Sequence, residues 1–116
     1  MLLIGYPKCS TCKKAEQWLR DNNIDYTYRN IKEENPTVEE LRIWYAKSGL
    51  DIKRFFNTSG LVYKALSLKD KLPQMSEAEK LGLLATDGML VKRPLLICDD
   101  AVLVGFKESE WEKAVL

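Results

Sequence analysis

The sequence predicts an α/β domain on a four-stranded mixed sheet, with a helical insertion between a βαβ unit and a ββα unit. Three observations predict it. An apolar run, Leu2 to Tyr6, passes into a helical pattern and then a second strand candidate. Two capping-box helices fill the middle of the chain. Two short apolar runs then flank Asp99-Asp100 and lead into a last helix. At 116 residues this is one domain, 1–116, with the insertion over about 36–88.

Leu2 to Tyr6 is nearly continuous in apolar residues, as in a strand buried on both faces. Pro7 marks a turn, and Cys9 or Ser10 caps a helix running to about Asn22. Ala15, Trp18, Leu19 and Asn22 recur at helical spacing on its inner face. Asp25 to Ile31 is the second strand, so the crossover between the two should be right-handed.

Thr37-Val38-Glu39-Glu40 is a capping box, followed by Val38, Leu41, Trp44, Tyr45 and Ser48 on one stripe and closed by Gly49. Leu50 to Asn57 forms a short helical turn, Thr58-Ser59-Gly60 a break, and Leu61 to Leu68 a further helix. Ser76-Glu77-Ala78-Glu79 is a second capping box, with Ala78, Leu81, Leu84 and Ala85 inward and Asp87-Gly88 as the stop. Leu95 to Cys98 and Ala101 to Val104 make a hairpin with a two-residue loop, whose turn calls for positive φ at Asp99-Asp100. Glu108 to Val115 is the final helix, with Trp111, Ala114 and Val115 available for packing.

Composition excludes several classes. A 46% hydrophobic, 30% charged chain is globular, and a formal net charge of +1 offers no broad field for nucleic acid or membranes. The opening run reads as a strand and not as a secretion signal, and no apolar run approaches a membrane span. Three cysteines, two of them in a CxxC, suit a reducing cytosol, so the cytoplasm is the expected compartment. A monomer is the expected state. With no histidine at all, Ser-His-Asp, Cys-His and HExxH chemistry are out.

Cys9 and Cys12 carry the chemistry that remains. Three residues apart on a helix, the two sulfurs share a face. Free N–H groups at the helix start, with Lys8, Lys13 and Lys14 nearby, lower a thiol pKa and favour the thiolate. Cys9 is the natural attacker and Cys12 the natural resolver. Half of a zinc site is the first alternative, but only Cys98 remains as a further soft ligand. Two inert small apolar residues are the second. Arg93-Pro94 precedes the strand at Leu95. That proline either starts the strand or forms a cis bond that sets Arg93 beside the thiol. Cys98, within Leu96-Ile97-Cys98, reads as a buried structural thiol.

Tyr6-Pro7-Lys8-Cys9-Ser10-Thr11-Cys12-Lys13-Lys14-Ala15, Arg29-Asn30-Ile31, Phe56-Asn57-Thr58-Ser59-Gly60 and Lys92-Arg93-Pro94-Leu95-Leu96 together resemble the arsenate reductase/Spx family. The resemblance covers nearly the whole chain. It implies a thioredoxin-like fold, an active-site cysteine at Cys9 and a cis-proline at Pro94. Family members that reduce arsenate hold the oxyanion with three arginines. Arg54 and Arg93 match the first two, while Lys107 stands where the third is expected. Lysine brings charge without the planar fork.

Those reductases typically have one active cysteine and a different residue three positions on, so Cys12 enters from its spacing and not from the resemblance. Together the two readings point to a thiol–disulfide oxidoreductase with catalytic Cys9, Cys12 and Arg93, and with Arg54, Lys107 and Pro94 at the substrate. The substrate would be arsenate, another small oxyanion or a disulfide. No metal or tightly bound cofactor is required. An external reductant of the glutathione/glutaredoxin or thioredoxin type would reset the site. The alternative is an Spx-like redox-sensing regulator that binds the RNA polymerase α subunit.

Overall fold

In the computed structural model, which describes residues 1–116, the opening apolar run is the strand β1, Leu2–Gly5. The remaining strands are β2 (Thr27–Asn30), β3 (Leu95–Ile97) and β4 (Val102–Val104), in the sheet order β2-β1-β3-β4. β1 runs parallel to β2 and antiparallel to β3, and β3 pairs antiparallel with β4. The parallel pair is joined by helix α1, Ser10–Asp21. The mixed sheet and its flanking helices form the expected thioredoxin-like α/β architecture.

Alternation along β1 divides the core in two. Leu3 faces Ala15, Trp18 and Leu19 of α1 and Trp111 of the last helix, α6 (Glu108–Val115). Ile4 faces the insertion, with Leu41, Phe55, Leu84 and Leu90 in one cluster. The insertion comprises α2 (Val38–Ser48), α3 (Leu61–Ala65), α4 (Leu68–Lys71) and α5 (Glu77–Leu84), joined by 3₁₀ turns at Ile52–Phe55, Leu72–Gln74 and Gly88–Leu90. Both capping boxes form in full, at Thr37 with Glu40 and at Ser76 with Glu79. Gly88 lets the chain pass Ile31, because a Cβ there would lie 1.8 Å from the Ile31 carbonyl oxygen.

Several expectations need correction. The single helix expected over Leu61 to Leu68 is broken at Ser67, which takes a left-handed φ of 54°. Tyr63 and Leu68 are both buried in the same cluster. Five residues of continuous helix would turn one about 140° from the other, so the chain must reset between them. Val38, Ala78 and Ala114 are exposed and not inward: Val38 and Ala78 stand in the first turns of their helices, and Ala114 lies off the side of its helix on which Trp111 and Val115 meet the core. Neither Asp99 nor Asp100 has positive φ. The hairpin instead keeps the Cys98 N–H to Ala101 carbonyl bond of 2.8 Å, and Lys47 Nζ donates to the Asp99 carbonyl at 3.1 Å.

One charged pair ties the sheet edge to the insertion. Arg29 of β2 donates in bidentate fashion to Glu40 of α2, at 2.6 and 2.9 Å, and lies 5.9 Å from the centre of the Trp44 ring. The Arg29 hydrogen bond is the main reason the Glu40 carboxyl is held down at about 2, against the opposing effect of burial. The folded pKa is depressed. The stabilisation is therefore complete above the unfolded value of about 4.3 and fades as pH falls towards 2. Glu40→Gln should flatten the loss of urea resistance across that acid range. An acid limb identical to the parent's would show that the pair contributes nothing to it.

Candidate active site at the start of the first helix

The turn Tyr6-Pro7-Lys8 closes through a hydrogen bond from Cys9 N–H to the Tyr6 carbonyl, 3.0 Å. That delivers Cys9 as the N-cap of α1, with its backbone extended at φ −89° and ψ 117°. Its sulfur accepts from the Cys12 N–H at 3.4 Å, in the place usually taken by a serine, threonine or aspartate oxygen. The first turn of α1 contains no acidic residue. The positive end of the helix is thus left facing the sulfur.

Cys12 lies beneath Cys9 and is fully buried, whereas Cys9 is half-exposed. Gly5 makes room for it, since a Cβ on Gly5 would stand 3.2 Å from the Cys12 sulfur. The two thiols are free and tuned apart. Burial pushes the Cys9 thiol up, but hydrogen bonds from the Cys12 thiol and the Cys12 and Thr11 amides, with the charge of Arg93, bring it below its ordinary value. Cys12 is pushed up to about 12 by burial and by donating to Cys9. Of the two, Cys9 gives up its proton more readily and Cys12 keeps its own.

Arg93 stands next to this pair. The Arg93–Pro94 peptide is cis, the second of the two readings open from sequence. Arg93 sits 5.5 Å from the Tyr6 ring centre, and its Nε and Nη1 are buried without a hydrogen-bond partner. A cavity of about 490 Å³ connects it to Cys9. Its other walls include Thr11, Asn57, Ser59, Leu61, Met89 and Lys92. A bridge between Phe56 and Val91 brings the two halves together, backed by bonds from Asn57 N–H to Leu90 (2.7 Å) and Lys92 N–H to Phe55 (2.8 Å).

The remaining expected site residues sit elsewhere. Arg54 does not line the Cys9 cavity. It is exposed on an adjacent cavity of about 350 Å³, lined also by Asp51, Lys53, Phe56, Thr58 and Lys92. Lys107 is exposed at the N-cap of α6, away from both cavities. Pro94 is buried behind Arg93, and its carbonyl accepts from Gly105 N–H at 2.8 Å. Cys98 packs with Leu3 and Trp111, where burial raises its thiol. No group of three or more metal-ligating side chains forms. Sequence reasoning assigned no role to Asn57, Ser59, Leu61, Met89 or Lys92. Asn57, Ser59 and Lys92 stand within the motifs that carry the family resemblance and Leu61 directly follows one, while Met89 had no sequence signal.

Residues 4–114 match the ArsC family. This chain belongs to the ArsC family. Among its relatives, the uncharacterized Bacillus subtilis protein YusI is 54% identical over 93% of this chain and 92% of its own length. An ArsC-family-related protein from Bacteroides fragilis superposes with a TM-score of 0.95 at 61% identity, covering 97% of this chain and 94% of that one. The global transcriptional regulator Spx of Staphylococcus epidermidis is 30% identical, covering 93% of this chain and 81% of its own. A transcriptional regulator thus stands among the relatives beside a protein of uncharacterized role, and the Cys9 site must be read on its own chemistry.

The geometry makes the reactivity of the two thiols unequal. In the reduced protein, iodoacetamide should modify Cys9 and leave Cys12 untouched until denaturation, as read by peptide mass spectrometry. Arg93→Met should move the pH midpoint of Cys9 alkylation upward, because a cation that favours the thiolate is lost. An unchanged midpoint would remove Arg93 from the site's electrostatics.

Proposed function

We propose that this chain is a thiol–disulfide oxidoreductase in which Cys9 is the nucleophile and Cys12 the resolving thiol. The observation that carries it is the cavity shared by the lowered Cys9 thiol and the unpartnered, buried Nε and Nη1 of Arg93. A buried guanidinium nitrogen without an acceptor is costly, and an anionic group arriving at Cys9 relieves that cost.

The reaction balances as two-electron exchange. The Cys9 thiolate attacks one sulfur of a disulfide, forms a mixed disulfide and expels the other half as a thiolate. Cys12 then gives up its proton, attacks the Cys9 sulfur and releases the second half as a thiol. The substrate is reduced, and the protein carries a Cys9–Cys12 disulfide. An external thiol of the glutathione/glutaredoxin or thioredoxin type restores the dithiol. With arsenate the same thiols would reduce an adduct on Cys9. Arg93 is the sole arginine on the cavity, with Lys92 as its second cation, a poorer match to a tetrahedral oxyanion than a set of forks.

Turnover of arsenate and of a small disulfide, coupled to NADPH-linked recycling of the reductant, tests this reading. Cys9→Ser should abolish turnover, and Cys12→Ser should instead accumulate the mixed disulfide at Cys9, visible by intact mass. Activity of the parent equal to that of Cys9→Ser on every substrate would overturn the proposal.

A second reading is favoured by the similarity to Spx over most of both chains. The CxxC would then be a sensor, its disulfide changing affinity for the RNA polymerase α subunit. Pull-down of that subunit should differ between the reduced and oxidised protein. Absence of binding in both states would eliminate the regulator.

A further inference from the structure

The cavity beside the active site shares its wall with it. Along the segment from Phe56 to Ser59, alternate residues line alternate cavities: Phe56 and Thr58 the outer one, Asn57 and Ser59 the one at Cys9. Lys92 borders both. Four cations, Lys53, Arg54, Lys92 and Arg93, line this pair of cavities, and none of them makes an ion pair. The one carboxylate present, Asp51, accepts from the Lys53 backbone N–H at 2.9 Å. Volumes of about 490 and 350 Å³ far exceed the needs of a tetrahedral oxyanion. The inner cavity also has an apolar side formed by Leu61, Val62 and Met89, with Leu61 85% exposed at its rim.

From this arrangement we infer that the substrate is a disulfide with an anionic arm. Its sulfur–sulfur bond lies at Cys9, its carbon chain lies along Leu61, Val62 and Met89, and a carboxylate or phosphate on the same molecule is held by Lys53, Arg54 and Lys92. The inference rests on thiol exchange at Cys9 and adds the substrate class. Lys53, Arg54 and Lys92 are binding residues in this scheme; the bonds made and broken are those of the exchange given above.

Mixed disulfides that release pyridine-2-thione test it under single turnover with the reduced protein. Three arms are compared: glutathione for carboxylates, 4′-phosphopantetheine for phosphate, and N-acetylcysteamine as the neutral arm. Each rate constant is divided by that for free 2-mercaptoethanol, which removes intrinsic reactivity. An anionic arm should exceed the neutral one about fivefold to tenfold, since exposed charge contacts each contribute a factor of about 1.5 to 5. The preference should collapse with added salt and in the Lys53→Gln/Arg54→Gln variant. Because the quantity is a ratio within one protein, partial loss of folded variant cancels. The better of the two anionic arms identifies the anion. Equal rates for all three arms, or a preference that survives the double substitution, would overturn the anionic-arm inference and leave exchange at Cys9 standing. No release above Cys9→Ser with any arm would overturn both.

Discussion

The hydrogen bond from Cys12 N–H to the Cys9 sulfur is the contact on which the site depends. A helix start has unpaired amides that must find acceptors, and proteins normally supply a side-chain oxygen and often a carboxylate in the first turn. This chain does so elsewhere: Glu39 and Glu40 open α2, Glu77 and Glu79 open α5, and Glu108 and Glu110 open α6. At α1 alone among these longer helices the first turn has no acid and the cap is sulfur. The partial charge that would stabilise a helix is left for a thiolate. Folding and reactivity therefore draw on the same few amides.

The rest of the architecture holds that helix start in register with Arg93. β1 carries the chain to the turn at its end, and its neighbour β3 begins at Leu95, directly after Arg93-Pro94. Strand pairing thus brings residues far apart in sequence to one end of the sheet. The insertion closes the remaining side through Phe56 and Val91. Two cores, one on each face of the sheet, stiffen this arrangement from both directions.

Much of this was legible in the sequence where the cause is local. Capping boxes, the Gly49 stop and the apolar run of β1 are short-range signals, and each led to its element. The break at Ser67 was not, because it follows from burying Tyr63 and Leu68 together in a core assembled from distant segments. Arg93 beside Cys9 had two readings until the cis peptide was seen. Arg54 and Lys107 stood out only by resemblance, and side-chain placement in three dimensions separates them from the Cys9 cavity. The walls contributed by Asn57, Ser59 and Met89 exist only through pairing with residues about thirty positions away in the chain, which no periodicity encodes.

The alternation from Phe56 to Ser59 has a consequence for how such a site can change over time. The segment is pinned at one end by the Phe56–Val91 bridge and at the other by Gly60 N–H on the Asn57 carbonyl. Replacing a side chain alters one cavity and leaves the other intact. Adding or removing a residue would exchange the linings of both at once and pull against the pinned ends. The partition is thus free to drift in residue type while its length stays fixed, and each chamber can acquire a new preference without disturbing its neighbour.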